Sequence, residues 1–216
     1  MSDRTKNILE WIECILIAVI LALLIRYFVG TPTVVQKESM YPTLQQGERL
    51  ILNRLTRTFN QTPERGQIIT FEAPTITSVN PETADLSNPV ATYLNEPTNI
   101  FSKFTYHVLE WGKTSYIKRV IGLPGDHVKI ENGKVYINDQ ELDESAYLQD
   151  DVVTEGNGGA FTDITVPEGY IFAMGDNREN SVDCRSFGCV PIEKLEGTVV
   201  LRFWPLDKFG TVGKAE

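Results

Sequence analysis

The chain is short of the residues that frame small metal- or disulfide-built domains. Its 216 residues include three cysteines and two histidines, His107 and His127. There is no Cys-x-x-Cys pair and no pair of histidines at ligand spacing, so no zinc site is expected; no other metal and no cofactor is expected either. Basic charge is also in deficit, with 20 Lys and Arg against 29 Asp and Glu and a net charge of −9. Residues 1–30 balance Arg4, Lys6 and Arg26 against Asp3, Glu10 and Glu13, so the whole acidic excess lies downstream. Such a body lacks the basic stripe that releases counterions from nucleic acid, and no nucleic-acid partner is expected. Hydrophobic residues at 42% and charged residues at 23% indicate a folded chain, long enough for one good-sized domain or two small ones.

What is abundant first is apolar surface near the amino terminus. Ile15 to Ile25 is an unbroken apolar run, and extending it from Trp11 to Val29 gives 19 residues. At the helical rise this spans roughly 28 Å, about the thickness of a hydrocarbon core. Glu13 and Arg26 fall near its ends, and Trp11, Tyr27 and Phe28 sit where interfacial aromatics belong. A cleaved leader would need a clearly basic start and a small-x-small exit, but the exit reads Arg26-Tyr27-Phe28-Val29-Gly30-Thr31-Pro32. A buried helix would show a polar stripe, and none is present. The run is read as a permanent single span, with residues 1–30 as tail and transmembrane anchor. Arg4 and Lys6 favour a cytoplasmic start, and Arg26 on the other flank weakens that bias.

From Thr33 onward the punctuation is that of short strands. Extended runs are predicted over 33–36, 49–53, 67–71, 116–121, 163–166, 170–174 and 198–203. The clearest element is a hairpin in which His127–Glu131 and Lys134–Asn138 alternate polar and apolar around Asn132-Gly133, a pair that tolerates positive φ. Helical signal past the anchor is scarce, so residues 31–216 are expected to form a mainly β body, an all-β sandwich or barrel, with a small hairpin subdomain at about 127–170.

Residues 75–114 read as an insert. Pro74, Pro81, Pro89 and Pro97 break its first part. In its second part Ile100, Phe101, Phe104, Val108 and Trp111 recur at three- and four-residue steps, with Thr98 or Asn99 as cap. That apolar face has two uses, covering the β core or lying on a bilayer.

Three segments combine reactive groups with rigid turns. In Ser39-Met40-Tyr41-Pro42-Thr43-Leu44, Pro42 stiffens the corner after a serine, which alone marks no more than a loop. In Tyr116-Ile117-Lys118-Arg119-Val120-Ile121-Gly122-Leu123-Pro124-Gly125-Asp126, a lysine sits within an apolar strand. Alternation puts Lys118 on the side of Tyr116 and Val120 and Arg119 on the other. Turned inward, Lys118 would lose water and its pKa would fall, and only the neutral amine can take a proton from a hydroxyl. The alternative is a solvated Lys-Arg pair, and the strand pattern leaves both open. The third segment, Gly175 to Gly188, is a dense polar loop offering hydroxyls, carboxylates and guanidinium groups. Its Asp-x-Asn start lacks EF-hand spacing, which makes calcium improbable.

In this order, and behind an amino-terminal anchor, the three segments resemble the boxes of the bacterial type I signal peptidases, and Gly47-Glu48-Arg49-Leu50-Ile51-Leu52-Asn53-Arg54 is similar to a further box. The likeness covers about 8–72 and 115–210 and leaves the insert outside. The resemblance implies a membrane-bound serine endopeptidase that removes signal peptides after small-x-small sites, with Ser39 as nucleophile and Lys118 as general base through an acyl-enzyme. It implies that Ser181 orients the lysine amine and that Asp183 and Arg185 form an ion pair beneath the site. Val35, Leu44, Tyr116 and Ile117 match positions lining shallow pockets beside an extended substrate strand. The implied partners are signal-peptide-bearing preproteins and the lipid bilayer. The implied state is a monomer in the cell membrane, with its amino terminus cytoplasmic and its catalytic body outside.

The sequence departs from the family pattern at two points. Two residues before the nucleophile many members carry Ser or Gly, and in those with Ser its hydroxyl is the second oxyanion donor; here Lys37 stands there, so the second donor is either its ammonium or its backbone N–H. Cys184 replaces a usual serine, and with Cys189 five residues on a disulfide is an open option for a domain outside the cytoplasm. Cys14, within the anchor, is read as a lipid-facing hydrophobe. Rival readings are a specialised peptidase with the same dyad and an anchored binding domain that needs neither Ser39 nor Lys118. A self-cleaving repressor would need a DNA-binding domain in place of the span.

Overall fold

The computed structural model describes residues 3–94, 97–149 and 151–212. The first two residues of the tail and the last four of the body lie outside the described residues. The protein is mainly β behind one apolar helix, α1 (Asp3–Phe28). Lys6–Phe28, 23 residues, is long and apolar enough to cross a membrane, and none of its most apolar stretch is buried against the protein.

The chain leaves α1 directly into strand β1 (Gly30–Val34), which pairs with β2 (Arg49–Asn53). The exit is held by side chains from the short helix α2 (Leu55–Thr58). Arg57 Nη2 donates to the Tyr27 carbonyl at 2.9 Å, and Thr58 Oγ1 to that of Phe28 at 2.8 Å. These carbonyls end a helix and would otherwise lack partners.

Ten further strands complete two antiparallel sheets. They are β3 (Ile68–Glu72), β4 (Ser115–Gly122), β5 (His127–Glu131), β6 (Lys134–Ile137), β7 (Gln140–Glu141), β8 (Asp163–Thr165), β9 (Tyr170–Met174), β10 (Val190–Pro191), β11 (Leu195–Trp204) and β12 (Gly210–Thr211). The large sheet runs β1-β2-β11-β3-β4-β9-β10, with β12 added to β11, and the small one runs β7-β6-β5-β8. The Asn132-Gly133 turn has φ of 52° and 80°, the left-handed geometry that its residue types predict. Val128, Val135, Ile137 and Ile164 of the small sheet share one core with Val120, Ile121, Phe172 and Phe187. A second cluster, Val35, Met40, Leu44, Leu50, Leu52 and Ile68, lies under the turn that follows β1. Pairing of β4 with β3 and β9 buries this strand progressively, and complete burial begins at Lys118.

The strands predicted from periodicity are present within one to three residues, while the two-residue strands β7, β10 and β12 carry no periodic signal. The insert forms a helix, α3 (Ile100–His107), capped by the Asn99 side chain, which accepts from Ser102 N at 2.7 Å. Its apolar face does not cover the core, because no residue of α3 is buried. The insert reaches the core instead through Ala91, which is buried, and Tyr93.

Candidate active site

The serine is aimed by what surrounds its turn. Val35 N donates to Glu48 O and Gly47 N to Val35 O, both at 2.9 Å, so the chain is pinned until it leaves the sheet at Gln36. In the turn beyond, Tyr41 N bonds Glu38 O at 3.0 Å and Leu44 N bonds Met40 O at 2.8 Å. Met40 and Leu44 are buried and fasten it to the smaller core cluster. Asn177 holds it from above, its N–H donating to Ser39 O and its Nδ2 to Glu38 O, each at 3.1 Å.

Lys118 reaches the same point from β4. Its Nζ donates to Ser39 Oγ at 2.7 Å, and the residue is 3% exposed. Burial pushes its pKa down to about 8, aided by the Arg185 and Lys37 cations and opposed by the Asp183 carboxylate. About a tenth of the amine is then neutral at pH 7, far more than an exposed lysine offers. The ammonium groups of Lys118 and Lys37 lie 5.5 and 5.8 Å from the centroid of the Tyr116 ring. A solvated Lys118-Arg119 pair is excluded, since both residues are buried, on opposite faces of β4.

Beneath the pair lies the polar loop. Asp183 caps the short helix α4 (Cys184–Phe187) and receives Arg185 through two bonds of 2.8 Å, to Oδ1 and Oδ2, with both side chains fully buried. Gly175 N also donates to Asp183 Oδ2, at 3.0 Å. Burial alone would raise the Asp183 pKa, but the Arg185 guanidinium and these donors hold it below the usual carboxylate range. Ser181 is buried beside them. Its Oγ makes no hydrogen bond, including none to Lys118 Nζ, though the Asp183 carboxylate is near enough to sense it. Cys184 and Cys189 are free, buried thiols, so the disulfide option is not taken.

A cleft of about 630 Å³ opens over the pair, with Val35, Lys37, Ser39, Tyr116, Ile117 and Lys118 in its lining. Leu44 is not in that lining; it sits in the core below. Ser115–Ile117 pair on one side only among the described residues, with β3, because β9 joins from Arg119 onward. Half of this stretch's backbone groups therefore face the cleft, where an added strand could pair. The described residues hold no cluster of three or more His, Cys, Asp or Glu placed to bind a metal ion.

Two features of the site were not foreseen. Arg119, on the far face of β4, grips Asp176 through bonds of 2.8 and 2.7 Å, donates to Gly66 O at 2.7 Å and stacks 4.0 Å from the Tyr147 ring centroid. This pair fixes the start of the loop that carries Asn177. Gly175 is the second: a Cβ there would stand 2.2 Å from Ser181 Oγ and 2.4 Å from Ser39 O. Alternation along β4 could have signalled the first, by placing Arg119 opposite Lys118. The second has no sequence signal, because it depends on three chain segments meeting.

A serine and a buried lysine thus face one cleft, on a β body behind an apolar helix. Residues 8–204 match the family described as signal peptidase, peptidase S26. The chain is 33% identical over 204 residues to the probable signal peptidase I-1 of Synechocystis sp., covering 94% of this chain and 86% of that protein. It is 36% identical over 206 residues to the signal peptidase I of Leptolyngbya laminosa, covering 95% and 84%. A crystal structure of a signal peptidase I from Enterococcus faecalis is similar at 26% identity and a TM-score of 0.39, covering 63% of this chain and 95% of that one. The chain therefore belongs to the signal peptidase family and is a peptidase, a hydrolase.

Proposed function

We propose that the protein removes amino-terminal signal peptides from exported preproteins after small-x-small sites, using Ser39 and Lys118 as a catalytic dyad. The observation that carries this reading is the 2.7 Å bond from a buried, pKa-lowered Lys118 Nζ to Ser39 Oγ. The neutral Lys118 amine takes the Ser39 hydroxyl proton as Oγ attacks the scissile carbonyl. The resulting ammonium gives that proton to the leaving amine, which becomes the new amino terminus of the mature protein. The signal peptide is left as an ester on Ser39. Water then attacks the ester, Lys118 takes its proton, and the proton returns to Ser39 Oγ as the ester breaks. The Ser39 backbone N–H holds the oxyanion, with Lys37 supplying a second donor.

The substrate lies as an added strand between residues 34–38 and the free edge of β4. Val35, Tyr116 and Ile117 bound shallow pockets, and Leu44 supports them from below. Ser181 steadies the Lys118 amine once it turns toward substrate, and the Asp183–Arg185 pair holds the floor. Residues 1–30 form the tail and single span, with the amino terminus cytoplasmic and the body, 31–216, outside as a monomer. The test is cleavage of a purified preprotein by detergent-solubilised wild type, Ser39→Ala and Lys118→Ala, with sequencing of the new amino terminus. Cleavage after a small-x-small site by wild type alone is expected; folded variants that cut as well as wild type would remove the dyad.

A further inference from the structure

The helix of the insert, α3, presents an apolar side that is left exposed among the described residues. Ile100, Phe101 and Phe104 form an apolar stripe of about 100° around the axis of α3, and Trp111 stands exposed in the turn just past its end. Ile100, Phe101 and Trp111 are 89%, 77% and 78% exposed. The opposite side is tied to the body, where the Tyr106 hydroxyl donates to Glu72 Oε1 at 2.8 Å. The stripe therefore cannot turn inward without breaking that bond.

The residues just past α3 indicate the occupant of the stripe. Glu110 accepts from Arg26 Nη2 at 3.0 Å and, on its other oxygen, from the buried Arg54. Arg26 stands in the last turn of α1. The end of the insert is thus strapped to the end of the apolar helix, level with its exit. Phe28 and Phe59, both exposed, flank the same exit, where Thr58 bonds the Phe28 carbonyl. Exposed aromatics concentrated at one end of a spanning helix have the composition of a membrane–water interface.

We propose that α3 lies along the surface of the bilayer that α1 crosses, with Ile100, Phe101, Phe104 and Trp111 among the outer ends of the acyl chains. This rests on α1 being a membrane span. Arg26, Leu109 and Glu110 line the same cleft as Ser39 and Lys118. Seating α3 and strapping it through Glu110 therefore fixes the height of the cleft above the membrane, where an inserted signal peptide emerges.

The test uses the full chain in vesicles containing lipids brominated near the head of one acyl chain, with tryptophan emission as the readout. The three tryptophans are Trp11, Trp111 and Trp204. Trp11→Phe/Trp204→Phe leaves Trp111 alone, and Trp111→Phe/Trp204→Phe leaves Trp11 as a report on the span. The proposal expects both to be quenched by the brominated lipid and Trp111 to be shielded from aqueous iodide. Quenching of Trp11 with Trp111 open to iodide overturns the proposal and leaves the span intact. Trp111 shielded from both quenchers also overturns it, in favour of a protein partner or a second copy. If neither is quenched by lipid, the span fails and the proposal fails with it. As a second readout, Phe101→Ser/Phe104→Ser should slow cleavage of a vesicle-inserted preprotein several-fold relative to wild type and leave cleavage of a soluble peptide in detergent unchanged; no slowing on the vesicle-inserted preprotein, or the same slowing on both substrates, counts against α3.

Discussion

Gly175 and Ser181 are packed so closely that a single carbon added to the glycine would stand 2.2 Å from the serine hydroxyl oxygen. The same carbon would meet the Ser39 carbonyl at 2.4 Å. Gly175→Ala is expected to push the Ser39 turn off Lys118. A displacement of this kind, on the order of 1 Å, costs about 100-fold in rate. Steady-state kinetics beside a thermal melt check this, because overpacking alone costs about 1–3 kcal/mol and leaves the protein folded.

The pH–rate profile should carry the signature of Lys118. With its pKa lowered to about 8 by burial, kcat/KM rises with pH and levels off above that value as the amine loses its proton. The Lys37 cation helps to lower the Lys118 pKa, so Lys37→Met should raise it and move the profile to higher pH. An unmoved midpoint would show that Lys37 has no electrostatic hold on the base.

Burying an amine that prefers to be charged has a stability cost. Lys118→Met should be inactive yet more stable than wild type at pH 7, by up to about 3 kcal/mol given the displacement of the lysine pKa. Proton binding sets the sign. Below about pH 8 both folded and unfolded lysine are charged and the full cost is present; between the folded value and the ordinary 10.5 the unfolded chain binds the extra proton, so wild type gains stability as pH rises. The advantage of Lys118→Met should therefore fade between pH 8 and 10.5, as denaturant titrations at several pH values would reveal.

The Asp183–Arg185 pair is fully buried, and removing one partner strands the other. Asp183→Asn should cost about 3–5 kcal/mol. It also takes away the charge that holds the Lys118 pKa up, so any activity that survives should titrate at lower pH. A melt and a pH profile on the same preparation distinguish these effects.

The thiols give a simpler expectation. Burial pushes Cys189 up to about 12 and Cys184 well above the ordinary thiol value. In the Cys14→Ser protein, native material should resist alkylation at pH 8, and unfolding without reductant should expose two reactive thiols. None would mean that these two cysteines are bridged to each other.

Much of this was legible along the chain because it is local. Alternation and β-branching marked β2, β4 and β9, Asn132-Gly133 marked the hairpin, and an unbroken apolar run marked α1. Spacing also put Lys118 and Arg119 on opposite faces of β4. What spacing could not say is that both faces are buried, since that depends on the Ser39 turn covering the Lys118 side and on Asp176 and Tyr147 covering the Arg119 side. The periodicity of α3 was visible, but whether its stripe met protein depended on Tyr106 reaching Glu72, 34 residues away, from the opposite side of the helix. The room left by Gly175 is likewise a long-range fact, and for Arg119 alternation along β4 gave the face but not its partner Asp176.

The central claim is that Lys118 activates Ser39 to form an ester with the signal peptide. The most direct measurement is rapid acid quenching of enzyme mixed with excess preprotein, then intact-mass and fragment analysis. Wild type should show a transient adduct of signal-peptide mass on Ser39, and Ser39→Ala and Lys118→Ala should show none. Mature product appearing without any adduct on Ser39, or an adduct forming in Lys118→Ala as fast as in wild type, would contradict the mechanism.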